Sequence, residues 1–259
     1  MNKPRYSNWI SGKIVLAATL VTILLLLGAQ IAVPHAKALA GVLLFLSMLA
    51  LLYTVYMMTA RASLSYEGGG VQGRVLDDVL KYLDQAGWKG RGKLLDIGCG
   101  SGAMSIKAAK KYPRTLITGL DYWGKGWDYS QRLCEENANT EGVSGRITFR
   151  RGDAAALPFL DHTFDAAVSN FTFHEVRSQP DKHKLVLEAL RVLKPGACFA
   201  FQDIYYARSH YGDIEAFVNA LRPYVSEIHF SDTRKPDYAP GFLNTPLVLG
   251  RMGLIYGRK

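Results

Sequence analysis

Two long apolar runs dominate the front of the chain. Residues 14–33 and 38–58 carry no charged side chain, whereas later positions alternate short apolar stretches with mixed ones. At about 1.5 Å per residue, each run reaches about 30 Å as a helix, the thickness of a bilayer's hydrocarbon core. Only Pro34, His35, Ala36 and Lys37 lie between them. A link that short demands an antiparallel helical hairpin with both ends on one side of the membrane. Lys3, Arg5 and Lys13 precede the first run and Arg61 follows the second, so both ends are expected in the cytoplasm. Ala36-Lys37-Ala38 offers a signal-peptidase-like site. Against cleavage, the first run exceeds a signal core in length and a second run follows at once. Buried helices of a soluble fold rarely stay uncharged for so long twice running.

Beyond the hairpin, Glu67-Gly68-Gly69-Gly70 breaks the pattern. The expected organisation is a membrane hairpin over 1–62, a glycine-rich linker over 63–70 and a globular domain over 71–259. Helical spacing predicts helices at 71–87 (Val75, Val79, Leu80 and Leu83 on one face), 101–111, 127–138, 181–193 and 212–223. Apolar runs predict strands at 93–97, 115–120, 147–151, 164–170, 197–203, 225–231 and 247–257. Alternating strands and helices imply an α/β fold, a parallel sheet with helices on both faces.

Charge and cysteine content narrow the setting. The chain has 31 basic and 22 acidic residues, net +9, and its first sixty residues contain no acid. The globular part is therefore only mildly basic, without the basic stripe of a nucleic-acid surface. Cys99, Cys134 and Cys198 form no CxxC pair or disulfide framework, which suits a reducing compartment. The six histidines are not spaced as metal ligands, and no metal is expected.

The chemistry begins at Asp96-Ile97-Gly98-Cys99-Gly100-Ser101-Gly102, a strand entering a glycine turn before a helix. Glycines let a backbone turn tightly and approach a ligand at the carboxyl ends of a parallel sheet. Asp121 ends the next predicted strand, where an acid can take both hydroxyls of a ribose. Gly152-Asp153-Ala154, Leu157-Pro158-Phe159, 164–170 and Leu193-Lys194-Pro195-Gly196 follow in order. With these motifs, 93–203 resembles the class I S-adenosylmethionine-dependent methyltransferases, especially the group acting on small molecules and lipids.

The resemblance implies a Rossmann-like, doubly wound seven-stranded sheet with its last strand antiparallel, preceded here by two transmembrane helices. It also implies S-adenosylmethionine as cofactor. Gly98, Gly100 and Gly102 would form the floor under its methionine and ribose, and Asp96 would help hold the methionine amine. Asp121 would take the ribose hydroxyls with Tyr122 against the adenine. Asp153 would face the adenine amine, and Ala154 would supply a backbone amide. Asn170 would line the site beside the transferring methyl. In the segment that faces acceptor in this family, His174 is either a proton acceptor or a brace of its loop, with Glu175 adjoining it. Asp203, followed by Tyr205 and Tyr206, is either an acceptor-side group or a structural acid. Trp123, Trp127 and Tyr129 either wall the adenine pocket or pack a helix.

The expected function is a membrane-anchored, multi-pass methyltransferase with a cytoplasmic catalytic domain and a small, hydrophobic or lipid-like acceptor. A methyltransferase for a membrane-associated protein and a non-catalytic cofactor-binding regulator are the alternatives. Sequence 169–172 (Ser169-Asn170-Phe171-Thr172) is unlike the NPPY-type strand end of enzymes that methylate base or glutamine amide nitrogens.

Overall fold

The computed structural model describes residues 3–6, 8–66, 70–124 and 129–259. Part of the expected linker (Glu67, Gly68 and Gly69), Trp127 and the start of the helix expected at 127 lie outside the described residues. The chain divides into two units, Asn8–Gln72 and Gly73–Lys259, the N-terminal segment belonging with the second.

The first unit is a hairpin of α1 (Gly12–Ala32) and α2 (Lys37–Ser63). Ser11 caps α1 by accepting from the Lys13 amide, and α2 runs five residues beyond the expected apolar end. Its packing is the reverse of a soluble fold. Small residues fill the seam: Thr22, Ala29, Ala40, Ser47, Thr54 and Ala60 are buried, while Leu24, Ile31, Phe45 and Leu52 point outward. Small seams let apolar helices approach when no hydrophobic force drives them together. The Thr22 and Thr54 hydroxyls meet across the seam at 3.4 Å, and each bonds the carbonyl four residues back in its own helix. Both helices are long and apolar enough to cross a membrane by length and composition.

The second unit is an α/β sandwich. Its strands are β1 (Arg91–Ile97), β2 (Arg114–Asp121), β3 (Ile147–Arg151), β4 (Phe164–Asn170), β5 (Leu193–Asp203), β6 (Glu227–Asp232) and β7 (Gly253–Arg258). They pair in the order β3-β2-β1-β4-β5-β7-β6, with β7 antiparallel to both neighbours and β1 to β5 parallel. Helices α3 (Val71–Gln85), α4 (Ala103–Lys111), α5 (Gln131–Thr140), α6 (Lys182–Arg191), α7 (Arg208–Tyr211) and α8 (Ile214–Leu221) complete it. The order reverses between β1 and β4. That is where open α/β sheets form a crevice outside the strands' carboxyl ends.

Three expectations need correction. The run 247–257 is a strand only from Gly253, because the preceding residues fold into turns held by bonds such as Gly250 N–H to the Thr245 carbonyl. Helix 212–223 is α8 plus a separate tight turn, Arg222–Tyr224, at Pro223. Lys194-Pro195-Gly196 does not precede β5 but lies within it. Leu193 already pairs with Phe164, and the register shifts before Ala166 meets Cys198.

One continuous core joins the sheet to α6 and α8. The Phe201 ring meets Phe173 edge-on at 5.4 Å and stacks on Phe199 at 5.3 Å, all three fully buried. Phe201→Ala is expected to cost about 3–5 kcal/mol of stability. Leu160→Ala, at an exposed position, should stay within about 0.5 kcal/mol. Denaturant titration of the full chain in detergent measures both; equal shifts would contradict this account of the core.

Candidate active site

The glycine turn is fixed from both sides. Gly98 and Cys99 amides donate to the Leu120 carbonyl at 2.7 and 3.0 Å, binding the turn to the end of β2. Thr172 folds back after β4 and donates its hydroxyl to the Ile97 carbonyl at 3.1 Å. Gly98 has φ +76, and a Cβ there would stand 2.0 Å from the Thr172 hydroxyl oxygen. Only glycine suits both conditions.

Asp121 organises the opposite wall. One carboxylate oxygen accepts from the Gly100 amide at 2.9 Å and the other from Trp123 at 2.7 Å. Burial holds its pKa above the ordinary carboxylate value, while the Trp123, Gly100 and Tyr122 amides pull the other way. Each oxygen keeps a lone pair for a ribose hydroxyl. The Trp123 indole donates to the Gly100 carbonyl at 2.9 Å, so this ring braces the turn. Among the described residues, an added Cβ at Gly100 would meet only the Tyr129 ring, at 3.8 Å. That open cradle, with the two-pronged acid beside it, fits a nucleoside-bearing cofactor.

The other expected cofactor residues gather around this cradle to differing degrees. Asp153 follows β3, whose end is tied to Asp121 by the Gly152 amide, and accepts from Ala155 at 2.9 Å; Ala154 is buried. The exposed Tyr122 ring lies under the Arg151 guanidinium at 5.2 Å. Gly102 opens α4 with φ +82. Asp96 is only 1% exposed beneath the turn and accepts from the Ser105 hydroxyl at 2.6 Å. Asn170 ends β4, and its buried amide oxygen has no hydrogen-bond partner among the described residues. A buried amide left so is a position where a ligand group is wanted.

His174 and Asp203 meet on the acceptor side. Asp203 is wholly buried and accepts from the Phe173, His174 and Ile204 amides and, at 2.5 Å, from His174 Nδ1. Phe171 makes the turn possible by taking φ +54, a costly conformation for a bulky residue, pinned by its amide on the Gln202 carbonyl. Burial alone would lower the His174 pKa. The Asp203 charge and hydrogen bond, aided by Glu175 at 3.4 Å from Nε2, hold it up to about 10. At neutral pH the pair is therefore an imidazolium on a carboxylate.

Two neighbours, Lys182 and His210, escaped the sequence reading. Lys182 is buried at the start of α6 and donates to the Val176 and Gln179 carbonyls, closing the loop that carries His174. His210 places its ring 6.3 Å from that of His174. Tyr205 packs its ring in the core against Tyr211 and Phe217, whereas Tyr206 stacks under Arg234 at 3.7 Å. The aromatic and histidine density of 205–211 was the available signal.

This arrangement and the sheet order are those of the class I methyltransferase fold, and the cradle fits S-adenosylmethionine, the cofactor of that class. Residues 95–201 match the family described as a methyltransferase domain. The chain is 38% identical over 106 residues to a demethylmenaquinone methyltransferase of Lactiplantibacillus plantarum, covering 40% of this chain and 41% of that one. It is 35% identical over 116 residues to cycloartenol-C-24-methyltransferase 1 of Oryza sativa subsp. japonica, covering 45% and 31%. Each match thus spans less than half of the relative. A phosphoethanolamine N-methyltransferase of Haemonchus contortus, solved with S-adenosylmethionine, shares the fold: TM-score 0.54 at 16% identity over 71% of this chain and 52% of that one.

Burial lifts Asp96 from 3.8 to about 7, the Ser105 bond opposing it and the Asp121 charge adding to it. A raised carboxyl gives stability that is complete below its unfolded pKa and lost as pH rises through the folded one. Asp96→Asn is thus expected to gain stability relative to the unaltered chain as pH climbs from 3.8 through about 7. Melting curves of both in the absence of cofactor measure it. A constant gap across that window would show that Asp96 does not titrate there.

Proposed function

We propose that this chain is a membrane-anchored methyltransferase for a small, hydrophobic or lipid-like acceptor that reacts through an ionisable hydroxyl. The observation that carries the reading is the His174–Asp203 pair at the carboxyl ends of β4 and β5, beside the cofactor turn. The outward-facing apolar surface of the hairpin supports an acceptor dissolved in the bilayer. The hairpin would sit in the cell membrane with both ends, and the globular unit, in the cytoplasm.

S-adenosylmethionine supplies an electrophilic methyl on a sulfonium. Methyl transfer to an oxygen or a carbon nucleophile then needs alignment, exclusion of water and an acceptor that has lost its proton. Asp121 would hold the ribose, Asp153 the adenine amine, and Gly98, Gly100 and Gly102 the close approach along the turn. Asp96 would help hold the methionine amine, whose positive charge would favour the ionised form of this buried carboxyl. Asn170 would offer its amide oxygen toward the transferring methyl. His174 has Nδ1 committed to Asp203 and Nε2–H 3.4 Å from Glu175, so an acceptor oxyanion would share or replace that carboxylate as the partner of Nε2–H. Because the ring is already protonated at neutral pH, it serves an acceptor that arrives ionised or readily ionises, donating to its oxyanion. The pair suits a phenol or enol better than an ammonium, which the imidazolium would repel.

Full-length protein in native membranes, given methyl-labelled S-adenosylmethionine, is expected to label the organic-extractable fraction. Label in protein instead would favour a protein acceptor, and S-adenosylhomocysteine binding without any label a regulatory module. With an extract that supports turnover, activity should persist through neutral pH and decline as pH passes about 10, the His174 value. His174→Ala should lower kcat by about 10²–10⁴-fold with cofactor affinity kept. Asp203→Asn, removing the charge that holds the proton, should move the alkaline limb to lower pH. Activity that rises through about 10 instead would make His174 a base.

A further inference from the structure

The N-terminal segment is fastened to the cofactor turn through one side chain. Asn137, on α5, is 2% exposed. Its amide oxygen accepts from the Arg5 amide at 2.8 Å, and its Nδ2 donates to the Arg5 carbonyl at 2.9 Å. Together these reproduce one step of a β-ladder, with a side chain standing in for a strand. The same Nδ2 donates to the Ser101 carbonyl at 3.0 Å, between Gly100 and Gly102. The amide's oxygen and both its protons are thus committed, two bonds to the segment and one to the turn. Flanking contacts repeat the attachment. The Arg5 guanidinium meets Glu136 at 2.9 Å, and the Tyr6 hydroxyl donates to Glu141 at 2.9 Å, an acid that Lys110 also holds.

We infer that residues 3–6 are a cofactor-coupled strap, with Asn137 as the positioning residue that links them to the glycine turn. Lifting the strap would leave a buried amide without two of its three partners. The amide would then be freed to turn away from Ser101, loosening the segment that must cradle the cofactor. A bound cofactor fixes the turn and with it Ser101, which keeps Asn137 oriented to receive the strap. Coupling of this kind is reciprocal: whatever docking gives to cofactor affinity, the cofactor returns to docking. The strap also precedes the first apolar helix in sequence, so whatever displaces that stretch of chain would be felt as a change in cofactor affinity. The inference rests on the glycine turn being the cofactor's seat.

The test uses the full chain in detergent with S-adenosylhomocysteine as probe. Trypsin cuts after Arg5, while Pro4 protects the bond after Lys3. Saturating probe is expected to slow cleavage after Arg5 by about tenfold and to leave cleavage after exposed Lys89, which Gly90 follows, unchanged. Arg5→Pro deletes the amide donor, and Asn137→Asp keeps the oxygen but deletes both donors. Each should weaken probe binding by roughly five- to fiftyfold. Arg5→Ala loses only an exposed ion pair and should bind like the unaltered chain. Equal cleavage with and without probe, or full affinity in Arg5→Pro, would overturn the strap. Failure of the unaltered chain to bind the probe would instead overturn the seat of the cofactor and the strap with it.

Discussion

The acceptor side depends on one buried charge. Asp203 has no contact with solvent, and an isolated carboxylate in such a place would be prohibitively costly. It is kept by three backbone amides and the His174 ring, all drawn from the segments that leave β4 and β5. Solvating this charge and shaping the loop are therefore the same event. The loop after β4 has to return over the end of β5, which sets Phe171 at positive φ and brings Thr172 back onto Ile97. Through Thr172 the constraint reaches the glycine turn, whose first glycine has room for nothing larger. The His174–Asp203 pair and the glycine turn are thus fixed by one chain of contacts.

The hairpin follows the opposite logic. Its seam is made of alanine, serine and threonine, and its bulk faces outward. In water that surface would be a severe liability, because contiguous exposed apolar area drives association. In hydrocarbon it costs nothing, and the small seam lets the two backbones pack closely. The hairpin is thus packed as hydrocarbon would favour, the α/β unit as water does.

Features that rest on residue identity were legible in the sequence. The glycine turn declares itself because few other residues can turn so tightly, and Asp121 ends β2 against it, where the sequence put it. Strands β1 and β4 follow from apolar runs buried on both faces, whereas β2 and β3 alternate buried and exposed positions. Legibility failed where tertiary bonds overrode local pattern. Lys194-Pro195-Gly196 reads as a helix stop, yet Leu193 is already paired with Phe164. The apolar run before Gly253 reads as strand but is consumed by turns. Asn137 left no mark at all, since its partner is 132 positions away and periodicity cannot register a side chain bonded to distant backbone. His174 was visible as a candidate, but its charge state was not, because that belongs to the carboxylate it meets in the fold.

The antiparallel insertion of β7 between β5 and β6 has a consequence in time. Strands β1 to β5 can join a growing sheet as each is synthesised, because each lies beside a strand made earlier. Strand β6 cannot: its only neighbour is β7, which the ribosome makes later. Until Gly253–Arg258 emerges, β5 presents an open edge and β6 has no place in the sheet. An unpaired edge is a hazard for association with other chains. With the hairpin in the membrane as proposed, the nascent domain would spend its most adhesive interval confined to a surface rather than dispersed in solution.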